Sequence, residues 1–150
     1  MRRGRDAPGT GLVRESTRGF MVAMGAEPLL REHDRQGAVL RSIPCEGAVL
    51  ALALNYAGDV TVGGSSGLRR YSTQSELLWS LSTADLPELG PTDIRSIQVR
   101  DNNNMILVNR IPRPGAGISL LEITERKEIV RRFAQERGAR CSTPARIAAV

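Results

Sequence analysis

The sequence predicts an all-β protein, a row of about three small four-stranded antiparallel sheets. Three observations carry that expectation. Between Ala48 and Leu81, short runs of alternating residues are broken by clusters of Gly, Ser, Asn and Asp. The same succession recurs on both sides of that stretch. Corresponding residues also keep constant spacing except where one loop lengthens. Period-two alternation bounded by residues that tolerate positive φ, or that bond their own backbone, is how antiparallel hairpins read in sequence.

The central unit, 48–81, is the most regular. Leu50, Leu52 and Leu54 alternate with Ala51 and Ala53, and Asn55-Tyr56-Ala57-Gly58-Asp59 makes a turn. Asp59 to Gly63 alternates again, and Gly63-Gly64-Ser65-Ser66-Gly67 reads as a second turn. Leu68 to Tyr71 is a third strand, Ser72 to Ser75 a third turn, and Leu77 to Leu81 a fourth strand.

The first unit spans about 11–43. Leu12-Val13 falls on Leu52, Gly19 on Gly58, and Phe20 to Met24 takes the second-strand place, with Gly25 matching Gly64. Leu29 to His33 matches the third strand, Asp34 to Gly37 the third turn, and Val39 to Ile43 the strand Leu77 to Leu81. Its inner strand is short and polar. Residues 1–10, rich in Arg, Gly and Pro, are expected to be disordered.

The third unit covers 94–133. Ile97 and Val99 fall on Leu52 and Leu54, an offset of 45. Asp101 to Asn104 forms the turn and Met105 to Val108 the second strand. After the loop Asn109 to Gly117 the offset becomes 52, placing Leu120 on Leu68, Ile123 on Tyr71 and Phe133 on Leu81. An insertion of seven residues explains the jump without disturbing a strand. In the basic tail, 134–150, Pro144, Ile147 and Val150 repeat the spacing of Pro91, Ile94 and Ile97, as the start of a fourth unit would. A rival reading makes Ile123 to Gly138 an amphipathic helix, with Ile129 and Phe133, and Val130 and Ala134, four residues apart and Thr124 as N-cap. Register with the earlier units favours strand for 118–133.

A chain of 150 residues is long enough for a real core and normally means one domain. Its formal charge of +5 resides at the ends. Arg2, Arg3 and Arg5 give +3, Asp6 to Glu125 carries 11 Arg against 14 acidic residues, and Arg126 to Val150 carries seven basic against two. With two Tyr, two Phe and one Trp there is no basic face interleaved with aromatics, so nucleic acid is not the expected partner. Cys45 and Cys141 lack any CxxC or zinc-type spacing and are read as free thiols, against the alternative of a disulfide. The Arg-rich start has no apolar stretch behind it, and no run approaches the ~18 apolar residues a span needs, so the expected location is cytoplasmic, not membrane. A preceding segment would change that expectation.

Four strands per unit of about 40 to 50 residues, with Gly-rich or Asn-rich turns, is the pattern of a β-propeller blade. The central unit resembles blades of WD-repeat and PQQ-like propellers, and ELLWSL resembles the outer strand of the latter. DRQGAVLRSI, and DIRSIQVRDNNNMILVNR followed by GISLLEIT, resemble NHL and arylsulfotransferase-type blades. The resemblance covers about residues 11–133. Its motifs do not separate one propeller family from another, and the Gly-His and Trp-Asp signatures are absent. Three blades form an incomplete ring with two bare sheet faces, which a longer chain, pairing with a second copy, or a smaller closed arrangement would cover.

Little catalytic chemistry is visible. His33, the single histidine, would be a general base or sulfate acceptor on the sulfotransferase resemblance, but it stands in a third strand, away from a propeller's channel. Asp101 to Asn104 lacks calcium-loop spacing and reads as a turn. Gly63 to Gly67 has no following Lys or helix, so it too reads as a turn. No metal or cofactor is expected. Asn109, Arg110 and Arg113 lie in the long loop of the third unit, stiffened by Pro112 and Pro114, where Arg suits carboxylate, sulfate or phosphate. They are the candidate ligand-binding residues, weighed against a tolerated surface insertion. The expected function is a non-catalytic binding module, or part of one, for a protein or an anionic small molecule. The alternative is part of an arylsulfotransferase-like or quinoprotein-like enzyme whose catalytic blades lie elsewhere.

Overall fold

The computed structural model describes residues 11–24, 27–87, 93–110 and 117–133. They form twelve strands: β1 (Gly11–Glu15), β2 (Gly19–Met24), β3 (Leu29–Asp34), β4 (Val39–Pro44), β5 (Ala51–Leu54), β6 (Val60–Gly64), β7 (Gly67–Tyr71), β8 (Leu77–Leu81), β9 (Ile94–Val99), β10 (Met105–Arg110), β11 (Ile118–Ile123) and β12 (Ile129–Phe133). Each consecutive group of four is one antiparallel sheet, in the order β1-β2-β3-β4, β5-β6-β7-β8 and β9-β10-β11-β12. No α-helix occurs among the described residues.

Register confirms that the three sheets are copies of one plan. Leu52 faces Val62 across β5 and β6, and Ile97 faces Leu107 across β9 and β10. In every sheet the pairing of third and fourth strands slips at the same place: between Glu32 and His33, Arg70 and Tyr71, and Glu122 and Ile123. The turn that follows is also shared. Asp34 Oδ1, Ser72 Oγ and Thr124 Oγ1 each accept the backbone N–H four residues on, from Ala38, Glu76 and Glu128. The fourth residue of each turn has positive φ, 91° at Gly37, 69° at Ser75 and 64° at Lys127. A side-chain oxygen that closes the turn supports a conformation that Ser and Lys rarely adopt. The helix-like pattern at Thr124 is therefore a turn, and Ile129–Phe133 a strand, because hydrogen bonding to β11 outweighs local propensity.

The sheets stack face to face. β1 lies against β5, and β9 against β5 and β6, so the inner strands converge. One core lies between the first and second sheets: Met21, Ala23, Leu30 and Ile43 meet Leu52, Val60, Val62 and Tyr71. The other lies between the second and third, where Ala51, Ala53, Leu68 and Leu81 meet Ile94, Ile97, Met105, Leu107, Leu121 and Ile123. The central sheet is covered on both faces, and β6 is buried at every position. Among the described residues its neighbours are covered on one face, and β2 alternates between buried and exposed or half-buried. A strand with both faces covered has no polar side to show, which is why the central unit reads as the most apolar.

One sequence expectation is corrected. The five-residue turn Gly63 to Gly67 is a two-residue turn, Ser65-Ser66, because Gly63 and Gly64 belong to β6 and Gly67 to β7. These glycines permit close packing. A Cβ on Gly63 would sit 2.9 Å from both Ile94 Cγ2 and Ile97 Cδ1 of the third sheet, and one on Gly64 would collide with the Ala48 carbonyl oxygen. Residues 1–10 and the proposed start of a fourth unit, 134–150, lie outside the described residues, as do Gly25 and Cys141.

Candidate functional site

The connection from the first sheet to the second and the turn joining β6 to β7 share one end of the central sheet. The segment Cys45 to Val49 and the turn around Ser66 line a common cleft there, with Arg69. The Arg69 guanidinium pairs with Glu46 across it. The cleft volume is about 10 Å³, roughly enough for one water molecule. Burial raises the Cys45 thiol above its ordinary pKa, with Arg69 opposing, and likewise raises the Tyr71 phenol. Cys45 is a free thiol.

Asn109 and Arg110 sit at the corresponding end of the third sheet. Asn109, at the end of β10, is 1% exposed, and its Oδ1 accepts the Asp93 backbone N–H at 2.9 Å. It occupies the place of Gly64, and a register shift between Val108 and Asn109 makes room for the side chain. Its carboxamide thus fastens the entry of β9 and is not presented to solvent. Arg110 donates its backbone N–H to the Asp93 carbonyl, and its more exposed guanidinium approaches the Asp93 carboxylate at 3.9 Å. Arg95 holds that carboxylate more closely, at 2.8 Å. Arg113 lies outside the described residues. His33 sits in β3 with Nδ1 3.0 Å from the Gly37 carbonyl oxygen, a local turn contact.

Sequence reasoning missed a set of charged residues inside the stack. Glu32, Arg70 and Glu122 occupy one equivalent place in the third strands, and all are buried. Glu32 accepts from Ser16 Oγ at 2.8 Å, Arg18 Nη2 at 2.6 Å and Arg41 Nε at 2.7 Å. Arg41 then reaches into the next sheet, donating to the Ser72 carbonyl at 2.6 Å and to Ser75 Oγ at 3.3 Å. Burial alone would raise the Glu32 carboxyl, but the bonds from Arg18, Ser16 and Arg41 outweigh it and hold the pKa below the ordinary value.

The second junction uses different residues in the same places. Arg70 pairs with Glu125 in the turn of the third sheet and lies over the Trp79 ring, 5.5 Å from its centroid. Trp79 Nε1 donates to the Glu125 carbonyl at 2.8 Å. Trp79 thus stands where Arg41 stands, and each grips the following sheet by its third turn. Arg70 Nε is buried without a hydrogen-bond partner among the described residues. In the third sheet Glu122 accepts from Asn104 at 3.0 Å and Arg100 at 3.2 Å, with Arg131 at 3.5 Å. The Asn104 bond leads in holding its carboxyl below the ordinary range. The signal available in sequence was the recurrence of Glu, Arg and Glu at one register position of an otherwise apolar pattern.

Among the described residues no group of His, Cys, Asp and Glu could hold a metal ion. No family model matches the chain. THO complex subunit 6 of Arabidopsis thaliana is 45% identical over 49 residues, covering 32% of this chain and 13% of that protein's length. Among solved structures, the WD40 β-propeller domain of Doa1 matches with a TM-score of 0.51 at 22% identity, over 64% of this chain and 33% of that one. A protein of unknown function from Bacteroides caccae matches with a TM-score of 0.51 at 14% identity, over 84% of this chain and 40% of that one. The chain spans well under half the length of each. Three four-stranded antiparallel sheets, stacked with their inner strands together and similar to a WD40 domain, make the fold a partial β-propeller.

Proposed function

We propose that this chain is a non-catalytic protein-interaction module whose blades form a stiff platform for surface loops. The observation that carries this reading is a cross-linked interior beside a small cleft at the described connection. Buried charge networks lock successive blades together, while the described cleft between connections has room for roughly one water. A cleft of that size suits contact with an extended partner more than enclosure of a small molecule. The match to THO complex subunit 6, a protein named as part of an assembly, supports the same reading.

The exposed Arg110 guanidinium supplies the polar contact. Arg110 is held loosely by Asp93, so most of its donors remain available for carboxylates of a partner, and Arg113 lies three residues further along the same loop. Asn109 acts from beneath, fixing the loop's root through Asp93. An acidic protein surface is the ligand these groups fit.

The test is native purification of the tagged full chain beside the Arg110→Glu/Arg113→Glu double variant, with bound proteins measured at low and moderate salt. A stoichiometric protein that is lost at least tenfold in the double variant supports the reading. Recovery of no stoichiometric protein, or equal recovery by both chains, overturns it.

A further inference from the structure

The last described sheet carries, on its free face, the device that the first sheet uses to hold its neighbour. In the first sheet a buried Glu32 orients Arg41, and Arg41 bonds the Ser72 carbonyl in the next sheet's third turn. In the third sheet Glu122 is equally buried, with Arg131 in the place of Arg41 and the pair separated by 3.5 Å. The Arg131 side chain is 53% exposed, against 12% for Arg41. The difference is that among the described residues no sheet covers this face.

Around the pair the face is apolar. Leu120 and Phe133 stand where Leu68 and Leu81 stand in the second sheet, and both are half-buried, whereas Leu68 and Leu81 are almost fully buried by the third sheet. The opposite free face, on the first sheet, offers the complement. Phe20 and Val22 take the places of Val60 and Val62, which the first sheet covers in the central blade, and Phe20 is 36% exposed. Its third turn is built like the turn that Arg41 grips. The Asp34 carbonyl accepts the Gly37 N–H, as the Ser72 carbonyl accepts the Ser75 N–H, leaving the second lone pair for a guanidinium. The Asp34 carboxylate adds charge that suits Arg131 and Arg100.

We infer that the free face of the third sheet takes the first sheet of a second copy of this chain, with Arg131 bonding the Asp34 turn. The contact is head-to-tail. Two such contacts close a ring, because the three described sheets of two copies make six blades, within the usual four to eight. Closure covers at once both apolar faces that no described sheet covers. This inference needs the blade stacking but not the loop-binding reading, and its test uses no other protein.

Sedimentation equilibrium of the full chain decides it. The expected mass is twice 16.3 kDa. Val22→Glu and Leu120→Glu spoil opposite faces, so each alone is expected to sediment at the single-chain mass. Mixed, they regain one intact junction and sediment as a heterodimer. Arg131→Glu, which leaves the apolar face intact, is expected to weaken the dimer at least tenfold. Circular dichroism of each variant confirms that it retains the wild-type strand spectrum. A wild-type chain at single-chain mass overturns the proposal. So do variants that stay dimeric, or a mixture that stays monomeric, since either result means a different or isologous contact.

Discussion

Replacing Glu32 by Gln keeps the shape of the side chain and removes its charge from the centre of the first junction. The carboxylate is almost fully buried and takes bonds from two guanidiniums. Arg18 is 48% exposed and can turn to water when the charge goes, so its bond contributes little. Arg41 is 12% exposed and is held toward Ser72, so the variant leaves a largely buried cation without its counter-charge. A charge-assisted bond in such surroundings contributes about 1.5–3 kcal/mol, and the stranded cation brings the expected loss to about 2–3 kcal/mol at neutral pH.

The pH dependence follows from the direction of the Glu32 shift. Its folded pKa lies below the ordinary value of 4.5, so the unfolded chain binds the proton more readily. The stabilisation is fully present above the ordinary value and is lost as pH falls through the folded pKa. Urea titrations of both proteins from neutral to acid pH measure the difference. It is expected to be constant at neutral and weakly acidic pH, then to shrink as wild-type Glu32 itself protonates. A difference below about 0.5 kcal/mol at neutral pH, or one that does not change with acid, would refute the assignment of a charged, junction-holding Glu32.

Three further outcomes are expected. Gly63→Ala places a methyl 2.9 Å from Ile94 and Ile97 and should cost about 1–3 kcal/mol in chemical denaturation, with part regained when Ile97→Val removes the contacted Cδ1. Failure of that rescue would mean the third sheet does not pack there. Trp79→Phe keeps a ring beside Arg70 but loses the donor to the Glu125 carbonyl, for a cost of about 1 kcal/mol. In the same assay, Trp79→Phe combined with Arg70→Met should depart from additivity, since both residues hold one turn. Cys45, its thiol raised by burial, should react with iodoacetamide in a Cys141→Ser background more slowly than a free model thiol at mildly alkaline pH. Equal rates would contradict its half-buried place.

Much of the architecture was legible because the turns are written in residue types that few other conformations favour. The offsets of 45 and 52 that align the second and third units follow hydrogen-bonded register. Strand over helix at Ile129–Phe133 was legible only through that register, since Thr124 closes a turn with the same hydroxyl that would cap a helix. Gly63 and Gly64 misled because glycine marks both turns and close approach, and only the neighbouring Ile94 and Ile97 tell which applies. The insertion in the third unit was legible from the change of offset, but not the packing at its root. Asn109 looks outward on composition, yet the register shift beside it turns the side chain onto Asp93. The interblade charges were the hardest to read. Glu32 and Glu122 resemble solvated strand residues until Arg41 and Arg131 are brought across from the fourth strand.

Three separate meanders stack, the third against the second through Gly63. Methyl-resolved nuclear Overhauser spectra of the full chain test this stacking most directly. Cross-peaks from the Ile94 and Ile97 methyls to the Gly63 α-protons are expected, together with Ile97-to-Leu107 contacts within the third sheet. Absence of the first set with the second intact, or cross-strand backbone contacts joining β4 directly to β5, would contradict stacked blades.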